Sequence, residues 1–221
     1  LTIDLTATGD LDLEITFEAQ VGDDTLTVVG ASADWTTTSA TWSSGLANFS
    51  SVENLVADPT LADDRLIGPA TDLDWKITGP GIGSINGVSF RGIDHLDGSA
   101  TANDTFEFQL AGSIGGIVDG GVAGEDRIVL DFITTNAIEN TVTGAGAGTI
   151  VRGGNTITYV DIDKLVDLPT ADVIVGDGGV LNPGSSPGFS DHVALTLTEG
   201  ATVEIEIAGN AGAGVNPEGH D

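Results

Sequence analysis

One pattern recurs three times along the chain: an aromatic residue, two positions, Val or Ile, an acid, one position, then Leu. It reads FSSVENL from Phe49, FRGIDHL from Phe90 and YVDIDKL from Tyr159. After a polar link each copy reaches Asp, one residue, then an apolar residue. Phe49, Val52, Glu53, Leu55 and Asp64 thus correspond to Phe90, Ile93, Asp94, Leu96 and Asp104, and to Tyr159, Ile162, Asp163, Leu165 and Asp172. A short strand ending in glycine precedes each copy: LTVVG to Gly30, WKITG to Gly79 and NTVTG to Gly144. The copies start 41 and 69 residues apart, and the longer gap holds GSIGGIVDGGVAGEDRIVLDF (112–132), read as a further rung. Repetition of this kind means a unit that cannot bury its own apolar face and must stack on its neighbours.

The units are built of strands. LTIDL, LDLEITF, DTLTVV, DWKITG, DTFEFQL, DRIVLDF, NTITYV, DVIVG, HVALTL and TVEIEI are short, rich in β-branched and aromatic residues, and bounded by Gly, Asp, Asn or Pro. Many alternate with period two, which directs one side to a core. Helical spacing is nearly absent; a turn at ITTNAIEN (133–140) is the best candidate. The Asp-x-apolar element also appears at Asp24, Asp126 and Asp191, with several gaps near one or two units of roughly twenty residues, about one coil of a solenoid. The expected fold is all-β: a right-handed parallel β-solenoid, or β-helix, with irregular coils. A β-sandwich is the alternative. Asn-Gly hairpin signals are sparse, Asn86-Gly87 being one, and this favours crossover coils. One repetitive domain over 1–221 is expected, with repeats near 24–68, 75–132 and 140–176 and a distinct repeat at 181–221.

Composition narrows the function classes. Six Lys and Arg face 34 Asp and Glu, for a formal net charge of -28. Such a surface repels phosphate backbones and anionic lipid, so neither nucleic acid binding nor membrane insertion is expected. It attracts divalent cations and basic partners, and keeps a protein soluble in salty surroundings. With 40% hydrophobic residues the chain is not a disordered acidic tail. Cysteine is absent, which removes disulfides, thiolate nucleophiles and zinc-thiolate sites. There is no Met, no leader-like segment and no apolar run of spanning length, so the chain is read as a piece of something longer or a processed product.

The stretch LNPGSSPGFSDHVALTLTEGATVEIEIAGNAGAG pairs two Pro-Gly steps with two strands. It resembles the passenger repeat of bacterial autotransporters and giant filamentous-haemagglutinin-like proteins. The matching positions are Pro183, Gly184, Ser186, Pro187, Gly188, Leu195, Leu197, Val203, Ile205, Glu206 and Ile207. The VENL and IDHL…NDTF segments are similar to another repeat of giant bacterial surface proteins. Together these cover most of 24–221. The resemblance implies a right-handed β-helical stalk or adhesin exported to the cell surface, with no catalytic residues to carry over.

For each chemically suggestive residue a structural role competes. DGGVAGEDRI (119–128) resembles the glycine-rich calcium roll with one residue too many, which makes Asp119 and Asp126 calcium candidates; a real roll needs tandem copies, so turn-forming Asp is favoured. Asp23 with Asp24, and Asp63 with Asp64, are further acidic pairs read as strand-start turns. His95, His192 and His220 have no partner at metal-ligand spacing. Ser186 in GSSPG lacks the strand-turn-helix setting of a nucleophile elbow. Trp42 could contact sugar rings, although core filling is the favoured role for Trp35, Trp42 and Trp75. The expectation is a non-enzymatic, extracellular or cell-surface bacterial scaffold: stalk, adhesin shaft or fibre subunit. It would associate with itself or with neighbouring repeats, or hold a carbohydrate or host-surface ligand. No cofactor is expected, with calcium held open. A carbohydrate-active β-helix enzyme and a calcium-dependent carbohydrate-binding module are the alternatives.

Overall fold

The computed structural model describes residues 1–6, 14–42, 45–130, 138–166, 172–175, 180–181 and 194–203. Among them there is no helix, and the chain is all-β, in two mixed sheets and one small strand pair. The nine-stranded sheet runs Thr2–Asp4, Thr25–Val29, Asn54–Val56, Val88–Arg91, Ile82–Ile85, Leu73–Gly79, Asp104–Phe108, Arg127–Leu130, Lys164–Val166. The twelve-stranded sheet runs Glu14–Glu18, Gly45–Ser50, Ser39–Trp42, Asp34–Trp35, Arg65–Ile67, His95–Asp97, Ile117–Asp119, Asn155–Val160, Ala147–Arg152, Ile138–Gly144, Asp172–Val175, Ala194–Leu197. Val180–Leu181 pairs separately with Thr202–Val203, in parallel.

Two kinds of pairing build these sheets. Parallel ladders join strands far apart in sequence: Leu66 lies beside Leu96, Leu96 beside Val118, and Phe106 beside Ile128. The shortest step is 22 residues, as from Leu96 to Val118. The steps of 29 residues or more contain all or part of an antiparallel three-stranded meander. There are three of these among the described residues, within Asp34–Ser50, Leu73–Arg91 and Ile138–Val160. With each meander counted as one visit, the chain alternates between the two large sheets from Thr2 to Val175.

The meanders revise the sequence reading. Asn86-Gly87 forms the expected tight hairpin, with φ of 47° and 83°, both in the left-handed region a type I′ turn requires. Gly153-Gly154, at 57° and 86°, is a second such turn that the Asn-Gly criterion overlooked. Hairpins are therefore not scarce; two-residue turns ending in glycine close four of them. Ile138–Asn140 is strand rather than turn, while 133–137 lie outside the described residues. Gly79 and Gly144 end the first strands of meanders, but Gly30 ends a parallel strand, so the three glycines are not equivalent.

The core residues read from the repeat are inside. Phe49, Val52, Leu55, Phe90, Ile93, Leu96, Tyr159 and Ile162 are buried, and Leu165 packs against them half-buried. They do not stack copy upon copy. Leu55 and Leu165 sit in the nine-stranded sheet and Leu96 in the twelve-stranded one. The actual columns are Leu26–Leu55–Phe90, Trp75–Phe106–Ile128–Leu165 and Trp35–Leu66–Leu96–Val118–Tyr159. The second copy begins about one and a half passes after the first and the third about two and a half after the second, so successive copies fall on opposite sheets. Trp75 and Phe106 stack with centroids 5.3 Å apart.

The aromatic closing two of the meanders lies over a glycine on the middle strand, Phe90 opposite Gly83 and Tyr159 opposite Gly148. A Cβ on Gly83 would stand 2.3 Å from the Lys76 carbonyl oxygen and 2.5 Å from the Phe90 ring. Gly83→Ala is expected to destabilise the protein by about 1–3 kcal/mol through overpacking, read as a lower midpoint in chemical denaturation with unchanged slope.

Candidate functional site

The acids of the repeat act on the main chain of a neighbouring pass. The N–H of Asp24 donates to Glu53 Oε2 (2.9 Å), that of Asp64 to Asp94 Oδ2 (3.2 Å) and that of Asp126 to Asp163 Oδ2 (2.8 Å). Each bond is returned twice. The carbonyl of Asp24 accepts from the N–H groups of Glu53 and Asn54, that of Asp64 from Asp94 and His95, and that of Asp126 from Asp163 and Lys164, all at 2.8–3.2 Å. Three sites of one design thus tie passes 29, 30 and 37 residues apart. Where a strand begins at a corner, its first N–H has no ladder partner; a carboxylate accepts it more strongly than a neutral group would.

At two of these corners, and at Asp104, the Asp side chain points inward; Asp24 is half-buried. Asp64 and Asp104 are fully buried and Asp126 nearly so. Asp64 Oδ1 accepts from the N–H of Ala33 (2.8 Å) and from Trp35 Nε1 (3.3 Å). Asp104 Oδ1 accepts from Trp75 Nε1 (3.2 Å) and its Oδ2 from the N–H of Ser99 (2.7 Å). The N–H of Asp104 donates to Asp126 Oδ1 (2.7 Å). Burial pushes the Asp64 and Asp126 carboxyls up to about 6 and raises Asp104 as well, against the hydrogen bonds that favour their charged forms. Two of the three Trp residues therefore fill the core and use their indole N–H on a buried acid, a pairing the sequence did not reveal. A cue was present: each Trp opens a meander 29 residues before its Asp.

The other predicted residues fall as follows. Asp119 Oδ1 accepts the N–H of Gly121 two residues on, a local turn, while Asp126 Oδ1 is occupied by Asp104. Asp23 Oδ1 accepts from Asn54 Nδ2 (2.7 Å). Asp63 is exposed, 3.5 Å from His95 Nε2, and His95 Nδ1 accepts the N–H of Ile117. No group of three metal-capable side chains occurs among the described residues. Trp42 ends its strand opposite Gly45, and its side chain lies outside the described residues, as do that of Asp172 and the whole of Pro183, Gly184, Ser186, Pro187, Gly188, Asp191, His192 and His220.

Arg152 escaped the sequence reading entirely. It is buried, and its guanidinium donates to the carbonyls of Phe108, Gln109 and Gly112, tying the third meander to the turn after Asp104–Phe108. Tyr159, the only aromatic of the repeat with a hydroxyl, donates to Asn140 Oδ1 (3.0 Å) from within the core. Comparison with known proteins gave no match to a family model, a curated protein or a solved structure.

Removing a clamp isolates its contribution. Asp94→Ala leaves the Asp64 N–H without its acceptor and is expected to cost about 1–3 kcal/mol by urea denaturation. Asp94→Asn, which keeps an acceptor oxygen, is expected to stay close to the parent.

Proposed function

We propose that the chain is a segment of a right-handed parallel β-solenoid serving as a non-enzymatic scaffold, a stalk, adhesin shaft or fibre subunit of a bacterial surface protein. The observation that carries this reading is the alternation of the chain between two sheets with parallel partners one pass away. A chain of that kind grows by adding passes and extends without limit in one direction. Right-handedness follows the general rule for crossovers between parallel strands. The resemblance of 181–221 to autotransporter and filamentous-haemagglutinin-like repeats supports an exported location. The use of repeated acids on backbone N–H groups supports a structural purpose for them, since a catalytic pair would be unique rather than copied.

Neighbouring repeats or further copies are the natural partners at the ends of the stack, and a carbohydrate or host-surface ligand would bind along its sides. Electron microscopy of negatively stained protein at physiological salt tests the scaffold reading. Rods or fibres are expected; compact globules that turn over an acidic polysaccharide would replace it with the enzyme. Calcium is tested separately. The scaffold needs none, so the melting temperature is expected to be the same with millimolar calcium and with chelator, and a chelator-sensitive transition would favour the calcium-dependent module.

A further inference from the structure

Asp64 combines three features found together nowhere else among the described residues. It is fully buried, its Oδ1 serves two donors on the preceding pass, and its Oδ2 has no hydrogen-bond partner. The charges facing it are of its own sign. Asp94 approaches from the following pass and Asp58 from its own loop. Arg65, the next residue, turns outward to Asp97 and Asp34. His95 reaches Asp64 through its main-chain N–H, while its ring is held by Asp63 and the N–H of Ile117. The neighbouring acids do not converge into a metal-holding group. A proton is the cation that this geometry accommodates.

We propose that Asp64 is a proton-operated lock between adjacent passes: with Oδ2 protonated, the pass bearing Trp35 and the pass bearing Asp94 close on a neutral group, and ionisation places between them a buried charge with one oxygen unpartnered. The inference is independent of the scaffold reading. Burial pushes this carboxyl up to about 6 from 3.8. A folded-state value above the unfolded one means the folded protein binds the extra proton. The stabilisation is fully present below the unfolded value near 3.8 and is lost as pH rises through about 6. A separation of two units corresponds to roughly a hundredfold change in the unfolding constant.

Relief of self-repulsion also stabilises an acidic protein at low pH, so the test compares variants. Urea denaturation from pH 4 to pH 7.5 is measured for the parent, Asp64→Asn and Asp63→Asn. Asp64→Asn mimics the protonated acid; Asp63 is exposed and contributes the same formal charge. The unfolding constant of the parent and of Asp63→Asn is expected to rise roughly a hundredfold more across this range than that of Asp64→Asn, with Asp64→Asn more stable than the parent at pH 7.5. Carboxyl carbon NMR of the parent, with Asp64 assigned, reads the proton directly and decides the matter even if Asp64→Asn fails to fold. A midpoint well above that of an ordinary Asp supports the lock. An ordinary Asp midpoint, or a foldable Asp64→Asn no more stable than the parent at pH 7.5, overturns it.

Discussion

The structure depends on how a corner of the chain satisfies its first backbone N–H. A strand that starts at the end of a crossover has lost the ladder on one side and water on the other. Here the solution is a carboxylate from an adjacent pass, with the carbonyl of the same corner accepting two N–H groups in return. Because the acid and the strand it precedes belong to the same pass, the bond fixes both the spacing of passes and their register. A slip by one residue would misplace the carboxylate and turn every inward Leu, Ile and Phe of that strand outward.

This device changes the meaning of the acidic composition. A net charge of -28 suggests solvation or cation binding, yet several of the recurring acids are committed to the backbone. Asp58 is a further instance: Thr60 and the N–H of Gly30, on the neighbouring pass, hold its carboxyl below the ordinary range. Asp64, Asp104 and Asp126 lie inside with their charge opposed by burial. The exterior acids repel one another, and the interior ones are tolerated because indole and amide N–H groups meet them. Both contributions make the fold tighter in mild acid than at neutrality.

Much of this was legible. The repeat named Glu53, Asp94 and Asp163, and the recurring Asp-x-apolar element named Asp24, Asp64 and Asp126, but spacing alone could not reveal that they bond to each other. That pairing depends on how many residues a pass consumes, and the meanders make this variable. The meanders were hidden because their turns use Pro80-Gly81, Ala145-Gly146 and Gly153-Gly154, pairs that read equally well as solenoid corners. Arg152 gave no signal: a single arginine on a strand normally faces water, and only the fold brings three carbonyls to it. The sheet position of Leu96 opposite to that of Leu55 likewise follows from a unit of one and a half passes, which no alignment of the copies contains.

Parallel strands in a defined register join the passes, and the absence of cysteine allows a direct test of that register. Thr105 and Arg127 are partners on adjacent parallel strands, with Arg127 Nε donating to Thr105 Oγ1 at 2.8 Å. Lys164 occupies the same outward row one strand further on. Under mild oxidation, the pair Thr105→Cys with Arg127→Cys is predicted to close a disulfide in the monomer, and Thr105→Cys with Lys164→Cys to remain reduced, since about 5 Å separates neighbouring strands and twice that separates the next. Equal reactivity of the two pairs, or closure only of the second, would contradict the stacking and its register.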